Sequence, residues 1–295
     1  MTKILLFPGQ GSQFKGMGRD LLDAYPDQLA LANDILGYNI GTLCLEDPER
    51  LLGKTEYTQP ALYVVNALSW RRHAEDHDVP DFMAGHSLGE YNALLAAGAF
   101  DFATGLKLVQ KRGQLMGQVS GGGMLAVLNM RLDALRDALY EHHIDALDVA
   151  NYNTPAQIIL SGLRADIVRA EIVLTAKGVR CMPLNVSAAF HSRYMKEAMA
   201  EFAQFLTGVP FAPLQVPVIA NFTARPYGDA DIPALLARQI AGSVLWSDSM
   251  LYLMGKTAPD GAAPTFIELG GTTVLSRMLG EIQAGRSVVP TDGPG

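Results

Sequence analysis

A chain of 295 residues, 49% of them hydrophobic, can bury roughly three quarters of its unfolded surface and divide into about two domains. Its formal charge of −7 is the wrong sign for a nucleic-acid binder, which needs clustered Lys and Arg, and no apolar run reaches the ~20 residues that span a bilayer. Two well-separated cysteines, Cys44 and Cys181, exclude a disulfide framework and a metal site, and with no signal peptide legible a cytoplasmic protein is expected.

In chain order, the apolar run at 3–7 reads as a short buried strand, followed by the loop Pro8-Gly9-Gln10-Gly11-Ser12-Gln13. Its spacing fits neither the dinucleotide fingerprint nor a P-loop, which ends in Gly-Lys-Ser or Gly-Lys-Thr, so phosphate binding is not expected there. A second buried strand at 81–84 runs into Gly85-His86-Ser87-Leu88-Gly89, and helix formers follow from Glu90 to Ala97. At such a strand-to-helix turn a Gly-x-Ser-x-Gly run lifts the serine hydroxyl out where it can attack a carbonyl. The N–H of Leu88 and those of the Gln10 loop are then candidates for an oxyanion hole.

Between 101 and 116, Phe102, Leu106, Leu108, Val109, Gly113, Leu115 and Met116 share one helical face and Lys107, Gln110, Lys111 and Gln114 the other. Arg112 falls in the middle of the apolar face, where an unpaired charge costs about 3 to 5 kcal/mol. Either an internal anion or a set of carbonyls answers it, or a substrate carboxylate does, gripped by two parallel hydrogen bonds.

The Gly121-Gly122-Gly123 run reads as a flexible joint. After it come strands at 125–130, 147–152, 157–162 and 179–186, with helices at 132–142 and 165–177. That βαββαβ order is a ferredoxin-like unit, placed at 124–186 as an insertion. Residues 1–123 and 187–295 form the larger α/β body, with buried parallel strands at 3–7, 81–84, 217–221 and 265–269. The segments 259–264 and 290–295, rich in Pro and Gly, read as a disordered loop and tail.

A serine nucleophile needs a base, and the six histidines sort by surroundings. His73 and His77 lie in a charged helix end, His142 and His143 close an amphipathic helix, and His86 is fixed beside the serine. That leaves His191, in the small-residue loop 185–193, as the favoured general base. No histidine follows it, whereas an α/β-hydrolase places its histidine late, so that fold proper is disfavoured. A backbone carbonyl in place of a carboxylate can hold the ring's tautomer. Lys177, Arg180, Arg193 and Lys196 flank this region and form either a basic patch or an ordinary solvated face.

These segments resemble the malonyl-CoA:acyl carrier protein transacylase family, most closely the discrete acyltransferases of polyketide synthases. The resemblance covers nearly the whole chain. It rests on Phe7-Pro8-Gly9-Gln10-Gly11-Ser12-Gln13, Tyr57-Thr58-Gln59-Pro60-Ala61-Leu62, Gly85-His86-Ser87-Leu88-Gly89-Glu90-Tyr91, Lys111-Arg112-Gly113 and Ala189-Phe190-His191-Ser192. It implies a hydrolase-like acyltransferase core, with Ser87 as the acylated nucleophile, His191 as base, and Gln10 and Leu88 as oxyanion donors. Arg112 would hold the malonyl carboxylate, with Gln59, Asn153, His86 and Phe190 lining the acyl pocket. Asn151 and Asn153 also fit a turn. The carbonyl orienting the histidine would be that of Gly242, in a segment that departs from the commoner Asn or Ser before Pro-Val. The resemblance further implies malonyl-CoA and an acyl carrier protein with its phosphopantetheine as partners, no tightly bound cofactor, and a monomer. Phe190 favours malonyl over methylmalonyl. An acyl hydrolase that clears misloaded carriers, or a transferase for another carboxylated unit, is the alternative.

Overall fold

The computed structural model describes residues 1–228, 230–258 and 261–288. The tail at 290–295 and the first two residues of the 259–264 loop lie outside them. Nine strands occur among the described residues: β1 Lys3–Phe7, β2 Phe82–Gly85, β3 Gly122–Leu128, β4 Asp148–Thr154, β5 Gln157–Leu163, β6 Arg180–Pro183, β7 Val218–Ala220, β8 Arg225–Pro226 and β9 Thr265–Glu268.

The first sheet has the order β8-β7-β2-β1-β9. Strands β1, β2, β7 and β9 run parallel, and only the two-residue edge strand β8 is antiparallel. A parallel sheet is covered on both faces, so its central strands carry no polar alternation. In β1, Leu5 and Phe7 face a core shared with the helices Thr55–Asp76 and Phe102–Gln118. Ile4 and Leu6 face the opposite core, with Trp246, Met250 and Leu253 of the helix Trp246–Met254 and Leu275 and Leu279 of the helix Val274–Val288.

The second sheet, β4-β5-β3-β6, is antiparallel throughout, the strand order of a ferredoxin-like unit. Alternation along β3 decides what each face covers. Leu125 and Val127 pack under the helices Leu132–Glu141 and Arg164–Ala176, with Leu135, Leu139, Ile167 and Leu174. Met124 and Ala126 point the other way, into the main core. Backbone hydrogen bonds from Tyr152 N to Val244 O and from Val244 N to Ala150 O stitch this sheet to the body.

The glycine run differs from the reading as a joint, because Gly122 and Gly123 are already the start of β3. Gly122 N donates to Ser187 O, and a Cβ at Gly122 would lie 2.3 Å from Ala189 N. The absence of a side chain there serves a close approach to the loop that carries His191. Strand β8 leaves no signal in the sequence, since two residues carry no period.

Candidate active site

The turn after β2 brings three backbones closer than side chains allow. A Cβ at Gly85 would lie 1.9 Å from the Gly89 carbonyl carbon, and one at Gly89 would lie 2.0 Å from Phe7 O. Between them Ser87 adopts a left-handed φ of 51°, a conformation that costs an L-residue free energy and must be over-determined by its surroundings. Two buried side chains supply that. Asn221 accepts from Ser87 N at 2.6 Å and donates to Gly85 O at 2.7 Å, while Gln239 Nε2 donates to Ser87 O at 2.8 Å.

Ser87 Oγ lies 2.8 Å from His191 Nε2, and His191 Nδ1 lies 2.8 Å from the Gln239 carbonyl. Burial, and then the nearby Arg112 charge, push the imidazole down to about 3. The ring is therefore neutral near pH 7. The Gln239 carbonyl can only accept, so Nδ1 carries the proton and the Nε2 lone pair faces the serine hydroxyl. This corrects the expectation for Gly242: the hydrogen bond goes to the carbonyl three residues earlier, in the helix Ile232–Ala241, and Gly242 has only a weaker influence on the ring. That helix runs through Ala241, and Gly242 follows it in extended backbone.

Arg112 is fully buried, as its place on the apolar face requires. Nη1 donates to Gln59 Oε1 at 2.7 Å; Nη2 donates to Gln239 Oε1 at 2.8 Å and to Ser87 Oγ at 3.1 Å. Its Nε has no partner among the described residues, and the guanidinium lies 5.5 Å from the centre of the Tyr91 ring. Of the alternatives left open, neither an internal ion pair nor a stack of backbone carbonyls is found among the described residues; two side-chain amides and the serine hydroxyl hold the cation. A nearby carboxylate, Glu90, touches Gln239 and not Arg112: Oε2 accepts from Gln239 Nε2 at 2.5 Å, and Oε1 accepts from Asn221 N at 3.1 Å and from the Tyr227 hydroxyl. Burial pushes the Glu90 carboxyl up to about 7.

A cavity of about 330 Å³ opens over Ser87. Gln10, Gln59, His86, Arg112, Asn153, Phe190 and His191 all line it, so the sequence-derived pocket residues are brought together. His86, kept neutral by burial, donates from Nε2 to Asn153 Oδ1 at 2.9 Å, and Asn153 donates to Gln157 at 2.7 Å. Asn153 is thus a lining residue on β4, not a turn residue. Neither the Gln10 nor the Leu88 main-chain N–H has a protein acceptor among the described residues. His191 also lines a groove of about 530 Å³ with Gly242, Arg136, Arg193 and Lys196. The four cations expected as a patch do not act alike. Lys177 pairs with Glu141 and Arg193 with Asp148, while Lys196 stands at the groove.

A serine held against a neutral histidine on an elbow, with uncommitted N–H groups nearby, is the arrangement of an acyl-transfer enzyme. The acyl transferase domain family matches residues 4–244, and the chain belongs to that family. It is 49% identical over 281 residues to the polyketide biosynthesis malonyl CoA-acyl carrier protein transacylase BaeC of Bacillus velezensis, covering 94% of this chain and 96% of that one. A crystal structure of malonyl CoA-acyl carrier protein transacylase from Burkholderia pseudomallei superposes with a TM-score of 0.94 at 46% identity, covering 100% of both chains. A type II polyketide acyl-carrier protein in complex with its malonyl-transacylase, PlMCAT:AntF, gives 0.88 at 34% identity, covering 96% of this chain and 93% of that one.

Sequence reasoning missed Asn221, Gln239, Glu90 and Tyr227. For Glu90 a signal existed, since a carboxylate among apolar helix formers raises the same question as Arg112. Asn221 and Gln239 carry none, because their role depends on segments more than 130 residues away along the chain.

Proposed function

We propose that the protein transfers a malonyl group from malonyl-CoA to the phosphopantetheine thiol of an acyl carrier protein through a Ser87 acyl-enzyme. The observation that carries this reading is Arg112, a fully buried cation without an ion-pair partner among the described residues, within 3.1 Å of the serine hydroxyl oxygen. A site for an uncharged acyl group gains nothing from such a cation. A carboxylated one gains an anchor that fixes its thioester over Ser87.

The geometry supports a balanced sequence of proton transfers. His191 Nε2 takes the hydroxyl proton as Ser87 Oγ attacks the thioester carbonyl, and Gln10 and Leu88 N–H groups receive the oxyanion. The imidazolium returns the proton to the coenzyme A sulfur as the C–S bond breaks. A carrier thiol then gives its proton to His191, attacks the ester, and takes the malonyl group while Ser87 Oγ regains a proton. General base catalysis contributes on the order of 10²- to 10⁴-fold and each oxyanion donor about 10²- to 10³-fold. The Phe190 ring limits room for an α-methyl branch, and one methylene is worth only about 10- to 200-fold. The reading places the enzyme in the cytoplasm without a tightly bound cofactor. It treats 124–186 as an inserted subdomain, supported by a second sheet running from Gly122 to Pro183.

The test is acylation by malonyl-CoA, methylmalonyl-CoA and acetyl-CoA in separate reactions, read by intact mass and peptide mapping. Malonyl is expected to load fastest, on the peptide carrying Ser87, and the Ser87→Ala variant is expected to stay unmodified. Preferred loading of acetyl, or labelling that survives Ser87→Ala, contradicts the reading.

A further inference from the structure

The Arg112 guanidinium is held by neutral acceptors, although the Glu90 carboxylate lies one side chain away. Gln239 stands between them. Its Nε2 carries two hydrogens and directs one to Ser87 O at 2.8 Å and the other to Glu90 Oε2 at 2.5 Å. Its Oε1 accepts from Arg112 Nη2 at 2.8 Å, as Gln59 Oε1 accepts from Nη1 at 2.7 Å. An ionised carboxylate only accepts and a guanidinium only donates, so the amide between them has a single workable orientation. Glu90 meanwhile receives the Tyr227 hydroxyl, Asn221 N–H and Gln239 N–H, three donors without a cation among them.

We propose that the Gln239 side chain is a specificity-determining positioning residue, orienting the Arg112 fork while keeping the Glu90 carboxylate from neutralising it. The charge thereby stays available to an acyl group that carries its own carboxylate. Amide acceptors fix the direction of a guanidinium without cancelling its charge; a carboxylate in the same place would compete with the incoming acyl group. The main-chain carbonyl of Gln239 holds His191 and its side-chain Nε2 holds Ser87 O, so a side-chain substitution slows both thioesters alike through the elbow, and only the malonyl-to-acetyl ratio reports selectivity. The inference rests on the acyl-transfer reading of this cavity.

The experiment measures kcat/KM for Ser87 acylation by malonyl-CoA and by acetyl-CoA at about pH 8, where Glu90, raised to about 7, is ionised. Gln239→Glu is expected to lower the malonyl-to-acetyl ratio about thirtyfold or more, beyond the fall that both thioesters share through the lost bond to Ser87 O. Gln239→Ala lets Glu90 reach Arg112 and lowers the ratio about tenfold; adding Glu90→Gln to it restores the ratio to within about threefold of wild type. A parallel fall for both thioesters in Gln239→Glu, an unchanged ratio, or no restoration by Glu90→Gln overturns the proposal. Should wild type load neither thioester on Ser87, the acyl-transfer reading itself falls, and the proposal with it.

Discussion

Burial keeps the His191 imidazole unprotonated and therefore free to accept a proton. An imidazole pushed down to about 3 stays neutral wherever the enzyme works, with its Nε2 lone pair on the Ser87 hydroxyl at 2.8 Å. Replacing it with Ala is expected to lower the acylation rate about 10²- to 10⁴-fold, measured by quenched-flow mass analysis. Arg112 makes a different prediction, because its role is in recognition. Arg112→Ala should cut kcat/KM for malonyl-CoA about a hundredfold and leave acetyl-CoA within about fivefold, in competition assays with both thioesters. Both residues were legible in the sequence, one by elimination and the other by a charge on an apolar helix face. The carbonyl behind His191 was not legible, because whether Gln239 or Gly242 faces the ring depends on where a helix ends.

Elements position these side chains by close approaches that only glycine permits. Gly121 and Gly122 are adjacent and distinguishable. Gly121 has a left-handed φ of 80° with nothing within 4 Å of an added Cβ, whereas that of Gly122 would sit 2.3 Å from Ala189 N. Gly121→Ala should therefore cost about 1 to 2 kcal/mol of stability and little activity. Gly122→Ala should displace the His191 loop and lose most acyl transfer, read from thermal unfolding and turnover of the same preparations. The strands at 3–7, 81–84 and 265–269 were readable because a parallel sheet covered on both faces leaves continuous apolar runs. The four strands of the second sheet and the two helices between them were readable from their alternation between periods of two and 3.6. Strand ends shifted by up to three residues, as at the Gly122 start of β3 and the Pro183 end of β6.

At the scale of the whole molecule, two of the buried titrating groups, His191 and Glu90, oppose each other with pH. For His191 the folded value lies below the unfolded one, so its effect is a loss of stability as pH falls from 6.5 toward 3. For Glu90 the folded value is raised from 4.5 to about 7, so the folded state holds its proton more tightly and stability is lost as pH rises through that window. Glu90→Gln removes the second effect. Relative to wild type, the variant is expected to gain about 3 kcal/mol in unfolding free energy between about pH 4 and pH 8, measured by denaturant titration. A difference that does not change with pH would contradict a buried carboxyl at that position.

At this scale the proposed transfer runs through a covalent intermediate that outlives the departure of coenzyme A. The protein is loaded with malonyl-CoA, freed of small molecules by rapid gel filtration, and mixed with holo acyl carrier protein alone. The malonyl group is predicted to leave Ser87 and arrive on the carrier thiol in stoichiometric amount. Failure to isolate a loaded enzyme, or release of free malonate at the same rate with and without carrier, would contradict it.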